Sequence, residues 1–242
     1  MKRKVILDIG TGKGERAVEL ALKNPDADVY AMDLINYEKE IKGVEAGNNP
    51  LRKRIKNLHP ILGKKGDARK SKNFDFLGDR KIDEIEINFI GVGVHKIPEH
   101  LLEKLSKNAK ITIRIDPQHL GEVFEGIKYA QQPENKKEFN KIQHVTTEQI
   151  KNFIEEELKD PNSFTSKSKK EYEEELKEMQ EELRKKGFRV VLKKQYPFRR
   201  KPITSYEKEI TETRGYYHSI IATRGKHHPL IEKLRSKLRR RK

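Results

Sequence analysis

The apolar positions of this 242-residue chain fall into short runs separated by stretches of helical period. Val5-Ile6-Leu7 with Ile9 is a compact run that reads as a buried strand. Ala17, Val18, Leu20, Ala21 and Leu22 then predict a helix over 15–23, which Asn24-Pro25 ends. A second strand follows at 27–32 and closes on Asp33, and residues 37–58 read as a helix interrupted by Gly43, Gly47 and Pro50. His59-Pro60-Ile61-Leu62 leads to Gly66-Asp67-Ala68-Arg69, a third unit in a βαβαβ pattern. Ile82 to Phe89 alternates, which predicts a fourth strand with one polar-lined face. Pro98 opens a helix running to about 107, strand five at 110–115 delivers Asp116-Pro117, and 119–130 reads as helix.

The second half is more polar. Residues 131–169 are loop-rich with one helix candidate at 147–159, and a long charged helix spans about 168–186. Tyr172, Leu176, Met179 and Leu183 form one apolar stripe on that helix, a pattern that marks packing rather than a ligand. Gly187 can cap it, and strands follow at 188–196 and 216–223. Strands alternating with helices, with two strands closing the chain, give an α/β sheet covered by helices on both faces. The expected organisation is one domain over 1–225, holding a helical insertion at 131–186, and a basic tail at 226–242. Leu230, Leu234 and Leu238 recur every four residues in the tail, which predicts a basic helix.

Candidate chemistry begins between the first strand and helix. Asp8-x-Gly10-x-Gly12-x-Gly14 is a strand, a glycine loop and a helix N-terminus, which is how α/β proteins hold a nucleotide. A dinucleotide fingerprint would place glycine where Glu15 stands, which argues against a nicotinamide-dependent dehydrogenase. Asp33, about 20 residues beyond the loop at a strand end, suits the two hydroxyls of a ribose.

Composition narrows the partner. Lys and Arg outnumber Asp and Glu by 54 to 38, a net charge of +16 that favours a polyanion through phosphate contacts. No apolar run approaches the ~18 residues of a membrane span, and no signal peptide is visible, so no membrane and a cytoplasmic location are expected. The chain has no cysteine, hence no disulfide, thiolate nucleophile or thiolate metal site. His227-His228 lack a third ligand at metal spacing, so no metal is expected.

The glycine motif resembles motif I of the class I S-adenosylmethionine-dependent methyltransferases, and later stretches bring the chain closer to the tRNA (guanine-N7-)-methyltransferase family. Those stretches are Asn24-Pro25-Asp26 through Asp33, Asn57-Leu58 with Gly66-Asp67-Ala68-Arg69, Ile82 to Phe89, Asp116, and Lys201-Pro202-Ile203-Thr204-Ser205-Tyr206-Glu207. The last resembles the family's terminal Thr-x-aromatic-Glu motif. The resemblance covers most of 4–130 and 187–224 and implies a Rossmann-like seven-stranded methyltransferase sheet binding S-adenosylmethionine. It implies cofactor contacts from Asp8, Gly10, Gly12, Gly14, Asp33, Asp67 and Ala68, with Asp67 accepting from the adenine amino group. The chain departs from the family after Asn88-Phe89, where Ile90-Gly91-Val92-Gly93-Val94 replaces a Pro-Asp-Pro-Trp loop and its acid.

Methyl transfer from a sulfonium is an in-line displacement governed by proximity and alignment. Guanine N7 carries a free lone pair, so a carboxylate serves instead to grip the N1–H and N2–H edge and offset the developing charge. Asp116 and Glu207 are the candidate catalytic pair, with Thr204, Ser205 and Tyr206 at the substrate. Arg199, Arg200 and Lys201, with the tail, are the candidate phosphate contacts of an RNA, tRNA first. Two alternatives stay open: transfer to another base, such as an rRNA or tRNA adenine, and an inactive RNA-binding relative. A monomer or homodimer is expected.

Overall fold

The structure is a computed structural model that describes residues 2–48, 55–90, 97–117, 146–196 and 216–225. Strands β1 (Lys4–Ile9), β2 (Ala27–Asp33), β3 (Leu58–Leu62), β4 (Ile82–Ile90), β5 (Leu105–Ile115), β6 (Arg189–Gln195) and β7 (Tyr217–Thr223) form one sheet. Its order is β3-β2-β1-β4-β5-β7-β6, parallel from β3 to β5. β7 slots antiparallel between β5 and β6, with Ile115 opposite His218 and Lys194 opposite the same histidine. Strand order reverses direction between β1 and β4, so a crevice opens at their carboxyl ends.

Each face buries its own core. On one, Ile6, Val29 and Ala31 pack with Ala17, Val18 and Leu20 of α1 (Glu15–Lys23) and Ile41 of α2 (Glu38–Asn48). Leu7, Met32, Ile85, Ile113 and Ile220 face the other way. There they meet Leu101 and Leu102 of α3 (Glu99–Glu103) and the four-residue stripe of Tyr172, Leu176, Met179 and Leu183. That stripe belongs to the long helix α5 (Phe164–Lys185), which follows α4 (Thr147–Glu157). Burial on both faces is the reason β1 and β2 read as nearly continuous apolar runs.

Three boundaries differ from the pattern in the sequence. The helix opened by Pro98 stops at Glu103 because Leu105 already pairs with Ile82 in the sheet, and Ile82 N–H donates to Lys104 C=O at 2.8 Å. α2 ends by Asn48, and Leu58 is taken by β3 opposite Val29. α5 starts at Phe164 because Ser163 caps it, its hydroxyl accepting from Ser166 N–H. The 119–130 helix, the 226–242 helix and the 91–94 turn lie outside the described residues.

Candidate active site

The glycine loop folds back over the end of β2. Gly10 and Thr11 N–H both donate to Met32 C=O, at 2.9 and 3.2 Å, and Gly12 N–H donates to Asp33 Oδ2 at 2.9 Å. The other oxygen of Asp33 accepts from Ile35 N–H at 2.9 Å. Gly14 caps α1 in the left-handed region at φ 81°, where a Cβ would stand 2.6 Å from Ile41 Cγ1. Only glycine lets α2 pack this close to the loop. Gly66 meets a second such constraint, since a Cβ there would lie 2.1 Å from Asp33 C=O. The exits of β2 and β3 are therefore pressed together, which brings Asp67 beside Asp33.

Beneath the loop runs a chain of buried polar groups. Asp8 is fully buried and accepts from Thr11 Oγ1 and Asn88 Nδ2, both at 2.6 Å. Asn88 Oδ1 in turn accepts from Arg114 at 2.6 Å, and Arg114 also pairs with the buried Glu86. Glu86 reaches Arg16 of α1 at 3.1 Å, so one network ties α1, β1, β4 and β5 together. The polar face read from the β4 alternation is this network, extended by Glu84, which pairs with Lys4 and Lys110. Burial pushes the Asp8 carboxyl up to about 6; Thr11 and Asn88 counteract that and the nearby Glu86 adds to it.

A cavity of about 260 Å³ opens at the carboxyl ends of β1, β2, β4 and β5. Gly10, Asp33, Asp67 and Ala68 line it, and most of its other walls are apolar, including Leu34, Ile97, Met179 and Ile113. Four of the residues singled out in the sequence thus converge on one space. Asp8, Gly12 and Gly14 are not among those that line it; they shape the loop from behind. Arg69 also lines the cavity and clamps Asp67 through Nε and a terminal nitrogen, at 2.8 and 3.1 Å. Those hydrogen bonds hold the Asp67 carboxyl down at about 2. His100 of α3 meets Ala68 C=O at 3.2 Å and so braces the Asp-Ala turn.

Asp116 follows β5 at the same edge, buried to 6% exposure, and does not line the cavity. Arg199, Arg200, Lys201, Thr204, Ser205, Tyr206 and Glu207 lie outside the described residues, between Tyr196 and Tyr216. Those two tyrosines flank a cluster that sequence reasoning did not identify. The Tyr172 hydroxyl meets His218 Nδ1 at 2.8 Å, and the Tyr216 ring packs edge-on to His218 at 5.4 Å. Burial, then the Lys194 charge, hold His218 down at about 4, and burial holds the Tyr172 phenol well above its ordinary value. The sequence signal for this cluster was the concentration of tyrosines at the open ends of the last two strands. Among the described residues no group of His, Asp or Glu could hold a metal ion, and no helix is long and apolar enough to cross a membrane.

No protein-family model matches the chain, and no curated protein matches it in sequence. Among solved structures it is similar to the 16S rRNA methyltransferase KamB, with TM-score 0.51 and 13% identity, covering 92% of this chain and 88% of that one. It is also similar to the fibrillarin pre-rRNA processing protein of Methanococcus jannaschii, with TM-score 0.47 and 17% identity, covering 93% and 68%. A third is precorrin-6y C5,15-methyltransferase from Geobacter metallireducens GS-15, with TM-score 0.46 and 13% identity, covering 93% and 82%. The first likeness, with the strand order, establishes the fold: this chain has the Rossmann-like seven-stranded methyltransferase sheet with helices on both faces.

Proposed function

We propose that the chain is an S-adenosylmethionine-dependent RNA methyltransferase that modifies a base nitrogen of tRNA, guanine N7 first. The observation that carries this reading is the convergence of Gly10, Asp33, Asp67 and Ala68 on one apolar cavity at the sheet's switch point. The residues present fit an adenosyl group. Each oxygen of Asp33 accepts one backbone N–H and keeps a lone pair for a ribose hydroxyl. Leu34, Ile97 and Pro98 offer apolar walls for a purine, and Asp67 Oδ2, which accepts one hydrogen bond from Arg69, keeps a lone pair for its amino group.

When bound, the cofactor supplies an electrophilic methyl group, and the protein's task is alignment. Asp116 would hold the amide edge of the guanine together with Glu207, while Thr204, Ser205 and Tyr206 orient it. Arg199, Arg200, Lys201 and the 226–242 tail would meet phosphates. The fold's resemblance to an rRNA methyltransferase and the net charge of +16 support an RNA substrate.

Titration calorimetry with S-adenosylmethionine and with NAD tests the cofactor, and mass spectrometry of nucleosides from tRNA incubated with protein and cofactor tests the reaction. We expect binding of the first ligand only, a methylated guanosine, and loss of cofactor affinity by at least tenfold in Asp33→Ala. The double variant Asp116→Ala/Glu207→Ala should bind cofactor normally and transfer nothing. Binding of NAD alone would overturn the cofactor assignment, and full activity of the double variant would overturn the catalytic one.

A further inference from the structure

The sheet face that carries α5 changes character toward its carboxyl edge. Ile111, Ile113 and Ile115 of β5 stand opposite Ala222, Ile220 and His218 of β7. Those three stand opposite Val190, Leu192 and Lys194 of β6. The two-residue period of a strand puts all nine on one face. The rows are aliphatic as far as Ile113, Ile220 and Leu192. His218 and Lys194 follow, and one step further come Tyr216 and Tyr196.

Ring contacts show the same grouping. Tyr196 and Tyr216 lie 6.4 Å apart, and Tyr216 and His218 lie 5.4 Å apart. The Lys194 ammonium sits 3.7 Å from the Tyr216 ring centre and 5.6 Å from that of Tyr196. Tyr196 and Lys194 are exposed, while Tyr216 and His218 are half-buried. A hydrophobic core edge would be closed with aliphatic side chains. Here flat rings and a cation stand at the edge instead, and Tyr196 and Lys194 are open to solvent.

Position gives the cluster its meaning. Ile113 lines the cavity, and Ile115, two residues or roughly 7 Å further along β5, is the residue paired with His218. Met179 lines the same cavity, and Tyr172, two turns or about 10 Å away along α5, touches His218. The Asp116 charge reaches Tyr172, so the candidate catalytic acid lies beside these rings. The face therefore runs without interruption from the cavity wall to the aromatic cluster.

We propose that Tyr196, Tyr216 and His218, with Lys194, form the stacking surface for the unpaired target base and its neighbouring phosphate. The assignment deepens the RNA methyltransferase reading and rests on it. Stacking on aromatic rings is the sequence-tolerant way to hold a single-stranded base, because every base has a π-face. A cation–π contact to an exposed lysine is the weaker interaction. An incoming base therefore displaces the Lys194 ammonium from Tyr216 and leaves it to meet the adjoining phosphate.

The test uses the full chain and a short single-stranded oligoribonucleotide carrying one 2-aminopurine flanked by uridines. Binding to the wild-type protein should quench the 2-aminopurine fluorescence. Tyr196→Ala and Tyr216→Ala should each weaken binding about tenfold and remove most of the quench. Tyr216→Phe, which keeps the ring, should retain both, and Lys194→Ala should weaken binding while keeping the quench. Tyr196 is exposed, so its variant decides the matter even where Tyr216→Ala fails to fold. Undiminished quench and affinity in Tyr196→Ala would overturn the proposal. Calorimetry with S-adenosylmethionine runs beside it. A wild-type protein that ignores the cofactor yet loses RNA quench in Tyr196→Ala would sink the methyltransferase reading and uphold the stacking surface.

Discussion

Asp8 shows how much a single residue under the glycine loop determines. It is fully buried, and its two oxygens take the Thr11 hydroxyl and the Asn88 amide. Burial disfavours the ionised form, which is why the carboxyl is pushed up from 3.8 to about 6. With a folded value above the unfolded one, the native state holds more protons between those two pH values. The contribution of Asp8 to stability is therefore fully present below pH ~4 and is lost as pH rises through about 6. The shift corresponds to about 3 kcal/mol. Asp8→Asn removes the titration and keeps the shape. Relative to that variant, wild type should lose about 2.4 kcal/mol of unfolding free energy between pH 4 and pH 7.5. Urea titrations at a series of pH values measure this, and parallel curves for the two proteins would refute it.

At the scale of elements, the Arg16–Glu86–Arg114 chain fixes α1 against β4 and β5. Glu86 is 1% exposed, and removing one partner of a buried ion pair costs about 3–5 kcal/mol, because the remaining charge stays buried. Glu86→Gln should therefore destabilise the protein by about 3 kcal/mol. The double variant Glu86→Gln/Arg114→Met should be less destabilised than the two single changes added together, which thermal or urea unfolding of all four proteins tests directly. The same elements show what local sequence encodes. β1, α1 and β2 are legible almost residue by residue, because a glycine loop separates the first two and Asn24-Pro25 stops the helix. The start of β5 is not legible. Leu101, Leu102 and Leu105 fit a helical period, and the pairing of Leu105 with Ile82 that ends the helix spans 23 positions. Asp33 and Asp67 could be picked out because the first closes β2 and the second lies just beyond β3. The Tyr172–His218 contact could not, because only the folding of α5 onto β7 brings residues 46 apart together.

Across the whole molecule, the surplus of Lys and Arg over acids is a statement about association, not about fold. It is distributed unevenly. Residues 226–242 hold eight Lys and Arg against the single Glu232, while the interior strands pair their charges with one another. Charges already paired inside the protein release no counterions from an RNA; exposed unpaired ones do. For a single strand, each phosphate neutralised contributes about 0.7 to the slope of log affinity against log salt. If the tail carries the phosphate contacts, deleting 226–242 should lower that slope by as much as about 5. The loss should fall on RNA affinity and on KM, with cofactor affinity unchanged, since the described lining of the cavity comes from the ends of β1, β2, β4 and β5, the Gly66–Arg69 turn, α3 and α5. Filter binding of tRNA from 50 to 300 mM salt measures both slopes. An undiminished slope would move the phosphate contacts to the body of the protein. Arg199, Arg200 and Lys201, which follow Tyr196 closely in the sequence, would then be the next to neutralise.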